Sequence, residues 1–277
     1  MKRIVTIQDI SCVGKCSLTV ALPIISAMGV EAAILPTAVL STHTMFSGFT
    51  VKDLTDQVEP ILAHWKKENF TFDAVYTGYL GSFEQIDLMK KLFEEFKTES
   101  NVLFVDPAMA DNGKLYPAFD EAFAKHMATL CGKADIIVPN ITEAAFMTGM
   151  EYKTEYDEVY VKEMLMKLCD LGAKISILTG VGFAEGKTGV MGYDSTTGEF
   201  HYYEHNKLPV SFHGTGDIFS STCVGAISNG MDWKDAIKVA ADYTAECIRI
   251  TLEDPAKPWY GVNFEQAIPY LLKLMNK

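Results

Sequence analysis

The segment HGTGD, residues 213–217, leads directly into residues 218–227, an apolar stretch rich in small residues that predicts a helix. Glycines let a backbone approach an anion closely. The first N–H groups of a helix have no partner within the helix, and they attract negative charge. The segment therefore predicts an anion-binding turn at a helix start, formed by Gly214, Thr215 and Gly216.

The acid that closes this turn, Asp217, has two interpretations. A carboxylate near a helix start commonly caps the helix or complements its dipole. In a phosphoryl-transfer enzyme it would instead be a general base, which takes the proton from a substrate hydroxyl as that hydroxyl attacks the γ-phosphate. The turn is compatible with both roles, so the accompanying motifs decide between them.

Upstream of the turn, short apolar runs rich in β-branched residues alternate with longer stretches of helical period. This alternation is typical of repeated βαβ units around a parallel sheet. We predict strands at 4–7, 31–36, 74–77, 102–105, 135–138 and 174–179. We predict helices at 17–28, 54–67, 83–96, 119–130, 140–148 and 159–171, and three more from about 216, 233 and 263.

Residues 187–193 and 199–204 predict an antiparallel hairpin at a sheet edge, because the turn-forming residues 194–198 join them. No repeat, low-complexity tract or Pro/Ser-rich linker divides the 277 residues. We therefore expect one α/β domain over residues 1–277. Its architecture would be a doubly wound, mostly parallel central sheet flanked by helices, with a short antiparallel edge hairpin.

The composition excludes some classes of function. The formal net charge is −12, which argues against a nucleic-acid surface because phosphate neutralisation needs clustered Lys and Arg. The N-terminus has no secretory apolar region, and no stretch of about 18 apolar residues occurs, so we expect a cytoplasmic protein without a membrane partner. The six cysteines are scattered, without zinc-site spacing, which favours reduced thiols.

Ligands of open α/β sheets bind beyond the carboxyl ends of the strands, so we expect the site residues to lie just after each predicted strand. Asp106 closes one predicted strand, and Asp111 follows within the segment DPAMADNG, residues 106–113. Carboxylates in such a place suit Mg²⁺, which prefers oxygen ligands. The same residue types are also common turn formers, so both interpretations stay open.

Asn140 and Glu143, in the segment NITE, are equally ambiguous. Asn at a helix N-cap with Glu three residues later is the pattern of a capping box, which would explain both residues structurally. The functional alternative places Asn140 near phosphates and Glu143 near Mg²⁺. His43 and His213 each lie beside a predicted site, but neither has a second histidine at metal-ligand spacing, and a lone histidine is more often structural.

The order of these motifs resembles the ribokinase-like superfamily over essentially the whole chain, and within it the pyridoxal kinase group. The last motif is the specific one, and the others occur in order at strand ends. The motifs that carry the resemblance are TIQ at 6–8, LSTHT at 40–44, GYLGS at 78–82, DPAM at 106–109, PN at 139–140 with Glu143, and GTGD at 214–217.

The resemblance implies MgATP-dependent transfer of the γ-phosphoryl group to the 5′-hydroxymethyl of a vitamin B6 form. Asp217 would be the base, and Gly214, Thr215 and Gly216 the anion hole. The implied substrate-binding residues are Asp9, Ser41, His43, Thr44 and Tyr79. The implied nucleotide and phosphate contacts are Asn140, Thr179 and Thr215. The implied metal-site residues are Asp106, Asp111 and Glu143.

Four positions depart from the family pattern. Asp9 stands where the best-known pyridoxal kinases have Ser, so ring recognition there must differ, and Asp9 is able to pair with a cationic amine or ring nitrogen. Ala108 and Ala110 occupy a loop that often reads DPVMGD, which changes its shape but keeps both acids. His213 stands where some related bifunctional enzymes have Cys, so no thiol adduct with pyridoxal is expected.

Two other functions remain open from the sequence. Hydroxymethylpyrimidine kinase shares the fold, the base and a hydroxymethyl-bearing aromatic substrate. A non-enzymatic regulatory protein of this fold would hold nucleotide or pyridoxal phosphate without turnover, although it would not need Asp217. Family analogy also implies a homodimer, and it leaves open whether a monovalent cation such as K⁺ is required.

Overall fold

A computed structural model describes residues 1–210 and 212–277. The strands in these residues are β1 (Arg3–Ser11), β2 (Glu31–Leu40), β3 (Val51–Asp53), β4 (Ala74–Thr77), β5 (Val102–Val105), β6 (Ala110–Asp111), β7 (Lys114–Leu115), β8 (Ile136–Ile137), β9 (Ile175–Val181), β10 (Lys187–Asp194) and β11 (Glu199–Asn206). The helices are α1 (Leu18–Ala27), α2 (Thr55–Lys67), α3 (Phe83–Phe96), α4 (Glu121–Cys131), α5 (Ile141–Thr148), α6 (Glu158–Asp170), α7 (Thr215–Ser228), α8 (Trp233–Glu253) and α9 (Phe264–Leu274).

The chain divides into two compact units, which we describe separately. The first unit comprises Met1–Tyr76 and Leu208–Lys277, and the second comprises Thr77–Lys207. The interpretation of residues 1–277 as one domain stays a prediction.

In the first unit, β1 pairs in parallel with β2, and β3 pairs antiparallel with β2. The side chains of β1 that form the core, such as Ile4 and Ile7, are fully buried. Helix α7 packs against α1 and α8 and is buried over most of its length. Small residues permit this, because a Cβ at Gly225 would lie 2.6 Å from the Met28 sulfur. The start of α7 is therefore held by the core.

In the second unit, β8 pairs in parallel with β5 and β9. Strand β10 pairs antiparallel with both β9 and β11, and β11 forms the edge of the sheet. The turn of this hairpin is closed by the Gly198 N–H, which donates to the Asp194 carbonyl at 2.8 Å. Gly198 has a φ of 76°, a conformation that glycine adopts at little cost. The predicted edge hairpin is confirmed.

The predicted α/β class, with a mostly parallel sheet flanked by helices, is also confirmed. Strands β3, β6 and β7 were missed, because two or three residues carry too little periodicity to be recognised. The fourth helix begins at Glu121 and not at Phe119, since the Asp120 side chain caps it by accepting from the Phe123 N–H at 2.9 Å. In the part of the chain that the structure describes, no helix is long and apolar enough to cross a membrane.

Candidate active site

The glycine turn of the first unit forms the start of α7. Gly214 is the N-cap residue and has left-handed backbone angles, with φ 81° and ψ −1°. Thr215, Gly216 and Asp217 follow in the first turn of the helix, where N–H groups have no partner within the helix. Open space lies where a Gly216 side chain would be. The glycine turn is therefore present at a helix start, with backbone accessible at Gly216. Its binding of an anion stays a prediction.

Gly214 is held against a second backbone segment, the turn of residues 14–17 between β1 and α1. A Cβ at Gly214 would collide with the Lys15 carbonyl oxygen. The side chain of Lys15 is fixed by an ion pair between its ammonium group and the Glu265 carboxylate, with Nζ–O distances of 2.7 and 2.6 Å. Close backbone approach and positive φ thus both require glycine at position 214.

Two acids of the first unit lie close to the buried thiol of Cys16. Burial, followed by the charges of Asp217 and Asp9, raises the pKa of this thiol to about 12. Cys16 is therefore protonated at neutral pH and does not serve as a nucleophile. Asp217 itself is half-buried at the third position of α7.

Asp9 is buried, with 7% of the residue exposed. Its Oδ1 accepts a hydrogen bond from the Ser17 hydroxyl at 2.6 Å, and its Oδ2 accepts one from the Ser11 hydroxyl at 3.1 Å. Burial raises the pKa of the Asp9 carboxyl, whereas the two serine hydroxyls and the nearby His43 lower it. Both carboxylate oxygens are thus engaged within the protein, and a direct contact with substrate stays a prediction.

His43 and His213 come together although 170 positions of sequence separate them, with ring centroids 5.2 Å apart. The pKa of His43 is lowered by burial and then by His213, while Asp9 opposes the shift. The Nδ1 of His43 accepts from the Met45 N–H at 3.2 Å, so the neutral ring carries its proton on Nε2. Sequence reasoning treated His213 as a lone structural histidine, and no local signal reveals a pair formed across such a distance.

The loop after β2 carries predicted substrate-binding residues, and hydrogen bonds between Ser41 and Thr50 close it. The Ser41 N–H donates to the Thr50 carbonyl at 2.9 Å, and its hydroxyl accepts from the Thr50 N–H at 2.9 Å. Within this loop Thr44 is exposed. The ring of Phe46 lies 4.5 Å from that of Trp259, which belongs to the segment between α8 and α9. The loop that carries three of the predicted substrate residues is therefore tied down at both ends and at an aromatic contact.

In the second unit, Asn140 and Glu143 form a complete capping box at the start of α5. The Asn140 side chain accepts from the Glu143 N–H at 3.0 Å, and Glu143 Oε2 accepts from the Asn140 N–H at 2.8 Å. Glu143 Oε1 also accepts from the N–H groups of Met109 and Ala110, at 3.0 and 3.4 Å. The structural interpretation of these residues is therefore confirmed, and their functional role stays a prediction.

Asp106 and Glu143 form a buried pair of carboxylates, 7% and 3% exposed. Burial, and after it the charge of Asp106, raises the pKa of Glu143 well above its ordinary value, despite the backbone N–H groups that stabilise its anion. A cation beside two buried acids would relieve the repulsion between their charges. Mg²⁺ fits this arrangement, since it commonly uses one or two carboxylates together with phosphate oxygens and water.

Asp111 is placed differently from the other two predicted metal-site residues. It is exposed on β6, and its carboxylate accepts from the backbone N–H and the side-chain amide of Asn112, at 2.8 and 2.9 Å. Among the described residues, no three His, Cys, Asp or Glu side chains are grouped closely enough to hold a metal ion. The structure thus brings Asp106 and Glu143 together without Asp111.

The remaining predicted residues also lie at strand ends of the second unit. Thr179 is half-buried near the end of β9 and bridges to Asn140 in parallel. The hydroxyl of Tyr156, which sequence reasoning did not select, lies 3.4 Å from both the Gly180 carbonyl and the Gly182 nitrogen. The Tyr79 ring follows β4, and its centroid lies 5.5 Å from that of Phe119.

The raised pKa of Glu143 predicts a specific dependence of stability on pH. Because the folded protein binds this proton more tightly than the unfolded chain does, the contribution to stability is present below the unfolded pKa of 4.5. It is lost as pH rises through the folded pKa. We expect Glu143→Gln to flatten the fall in unfolding free energy that the wild type shows as the pH rises above 4.5, measured by urea unfolding without Mg²⁺.

Glu121→Gln is the matched control for this measurement, since Glu121 is an exposed acid in the first turn of α4. It should reproduce the pH dependence of the wild type. Equal slopes for Glu143→Gln and the wild type would contradict the assignment of Glu143 as a buried acid with a raised pKa.

The fold and these residues define the class of the protein as a ribokinase-like α/β kinase. A family model described as phosphomethylpyrimidine kinase matches residues 21–258. The chain belongs to this family, in its pyridoxal kinase group, and it is a kinase of the type that phosphorylates an alcohol group.

Individual relatives show the extent of the similarity. A pyridoxine kinase of Bacillus subtilis is 32% identical over 181 residues, which span 64% of this chain and 64% of that protein. The crystal structure of pyridoxal kinase from Lactobacillus plantarum has a TM-score of 0.90 and 30% identity, covering 99% of this chain and 98% of that chain. A protein of Bacteroides thetaiotaomicron, provisionally described as a phosphomethylpyrimidine kinase and crystallised with pyridoxal, has a TM-score of 0.92 and 37% identity, covering 98% and 95%.

Proposed function

We propose that the protein transfers the γ-phosphoryl group of ATP to the 5′-hydroxymethyl group of pyridoxal, pyridoxine or pyridoxamine. The observation that carries the proposal is the start of α7, where Asp217 stands three residues after the left-handed Gly214. A carboxylate and a row of backbone N–H groups at one helix terminus combine a proton acceptor with an anion cradle. Phosphoryl transfer needs both functions, together with accurate positioning.

In this proposal, Asp217 accepts the proton that the hydroxymethyl group loses as its oxygen bonds to phosphorus. The N–H groups of Thr215 and Gly216 stabilise the charge on the transferred group. Gly216 suits that task because its Cα faces open space, so an anion is able to approach the backbone. Thr215 is oriented by its own hydroxyl, which donates to the Phe212 carbonyl at 3.1 Å.

The second unit supplies the residues that we propose for the nucleotide. Asn140 and Thr179, joined as a parallel bridge, would contact phosphate oxygens. Asp106 and Glu143 would hold Mg²⁺, with Asp111 as a further predicted ligand. Mg²⁺, when bound, neutralises phosphate charge and orients the γ-phosphoryl group. Glu143 would hold the ion as a carboxylate, because metal ligands of this type bind as anions.

The aromatic substrate would be recognised by the predicted substrate-binding side chains. His43 offers a neutral imidazole whose Nε2–H is able to donate, and Ser41 and Thr44 lie in the same tethered loop. Tyr79, whose ring lies 5.5 Å from that of Phe119, is the aromatic residue of the predicted substrate-binding set. The printed names of the Bacillus and Lactobacillus relatives, and pyridoxal in the Bacteroides crystals, support a B6 vitamer as the acceptor.

Hydroxymethylpyrimidine, or its phosphate, is the second candidate acceptor. It is favoured by the description of the family itself and by relatives that are named as hydroxymethylpyrimidine kinases. The two substrates share a hydroxymethyl group on an aromatic nitrogen ring, so the base and the anion cradle serve either one. The proposal also includes a homodimer, a cytoplasmic location and a K⁺ requirement. Family resemblance suggests the homodimer and K⁺, and the composition suggests the location.

The test is a steady-state assay of the purified protein with MgATP and each acceptor in turn. We expect kcat/KM for at least one B6 vitamer to exceed that for hydroxymethylpyrimidine by about tenfold or more. Turnover with the pyrimidine alone would replace the first candidate with the second. Nucleotide or pyridoxal phosphate binding without any turnover would instead support a regulatory protein.

A further inference from the structure

Ser17, the N-cap residue of α1, has a backbone conformation that is unusual for a side chain. Its φ is 50° and its ψ is −135°, a region that glycine occupies far more readily than other residues. The other described non-glycine residues with positive φ are all asparagines, the residue type that tolerates this region best. Ser17 therefore stores conformational strain, which persists only where the surroundings hold it.

The surroundings of Ser17 supply that restraint through Asp9. The Ser17 hydroxyl donates to Asp9 Oδ1 at 2.6 Å, and both residues are buried, at 6% and 7% exposed. A hydrogen bond to a carboxylate is stronger than one between neutral groups, and burial strengthens it further. The second Asp9 oxygen is occupied by Ser11 of the same strand, which fixes the direction of the carboxylate.

The strained residue ends the turn of residues 14–17, whose other members contact the candidate active site. The Lys15 carbonyl lies directly against the Cα of Gly214. Cys16 lies close to Asp217, whose charge acts on its thiol. The carbonyls of Gly14 and Cys16 both accept from the Thr19 hydroxyl, at 3.0 and 2.7 Å. Turn 14–17 thus packs against the start of α7.

We infer that Asp9 and Ser17 are positioning residues, which hold turn 14–17 in its strained shape so that Gly214 and Asp217 keep the geometry that phosphoryl transfer requires. The inference rests on the proposed function for its catalytic consequence. It assigns Asp9 a structural task toward the base and the anion cradle in place of a direct contact with the substrate.

The experiment compares Ser17→Ala with Ser17→Gly. Both variants lose the hydroxyl, but glycine adopts positive φ without strain, whereas alanine keeps the strain and loses the restraint. We expect Ser17→Ala to lower kcat about tenfold with little change in KM for ATP or the acceptor, and Ser17→Gly to stay within about threefold of the wild type. Asp9→Asn should lower kcat when it is made in the wild-type protein, and it should have little effect on kcat when it is added to the Ser17→Gly variant.

Hydrogen exchange of the Ile218 amide, which donates to the Gly214 carbonyl at 3.0 Å, provides a readout that does not depend on turnover. It should be faster in Ser17→Ala than in the wild type, and Ser17→Gly should restore protection. Equal kcat and equal exchange in the alanine and glycine variants would overturn the inference. So would an Asp9→Asn variant with a raised acceptor KM and unchanged kcat, because that result marks a substrate contact. A wild type that is inactive with every acceptor refutes the proposed function, and the exchange comparison then decides the positioning role alone.

Discussion

Replacing Asp217 with Asn is expected to lower kcat by about 10²–10⁴-fold, the range typical of a lost general base. The amide keeps the size of the side chain and one acceptor oxygen, but it does not take the proton from the attacking hydroxyl. Affinity for nucleotide should change little, because the backbone N–H groups at the start of α7 are retained. Steady-state kinetics and calorimetric titration with ATP measure the two effects separately.

Asp235→Asn is the matched control for this prediction. Asp235 is an exposed acid in the first turn of α8, so it occupies the same type of helix-terminal position, but the N-cap of α8 is Asp232 and not a glycine. Its replacement should leave kcat within about twofold of the wild type and alter stability by only about 0.3–1 kcal/mol. If Asp217→Asn behaved in the same way, Asp217 would be a helix-terminal acid and not the base.

Gly214→Ala is expected to have the second large effect, on both stability and activity. An alanine there must adopt a φ near 81°, and its Cβ would collide with the Lys15 carbonyl oxygen. The positive φ and the overpacking together should cost about 2–4 kcal/mol of unfolding free energy. Relief of the collision requires the start of α7 to move, so kcat should fall by about 10²-fold or more.

Gly216→Ala tests whether the effect at Gly214 is specific. Gly216 lies two residues further along, inside the helix, where an added Cβ meets no atom within 4 Å. Alanine also favours helix over glycine by about 1 kcal/mol, so this variant should be as stable as the wild type or slightly more stable. A Gly214→Ala variant with the thermal stability of Gly216→Ala would contradict the close backbone approach described for the turn.

The elements with clear periodicity could be predicted from the sequence, and those without it could not. The apolar run at 102–105 and the helical period at 83–96 match β5 and α3, because hydrophobic patterns report which face is buried. Strand β3 escaped prediction since its three residues are all exposed. The candidate site residues were selected where strand ends carry Gly, Asp or Asn, a rule that follows from the topology of open sheets.

Contacts between distant segments were beyond such rules. Nothing in the local sequence indicates that Ser17 adopts positive φ, because serine rarely does so without outside restraint. The meeting of His43 with His213, and of Lys15 with Gly214, depends on packing around α7. The capping box at Asn140 was visible in the sequence. The effect of the Asp106 charge on the pKa of Glu143 was not, because it depends on the fold that brings the two acids together.

The most direct test of the central claim is a competition reaction that contains MgATP, one B6 vitamer and hydroxymethylpyrimidine in equal amounts. Mass spectrometry and ³¹P NMR identify the phosphorylated product. The predicted result is a phosphomonoester on the 5′-oxygen of the vitamer as the main product, absent when the Asp217→Asn variant replaces the wild type. A pyrimidine phosphate as the main product, or full product formation by Asp217→Asn, would contradict the account.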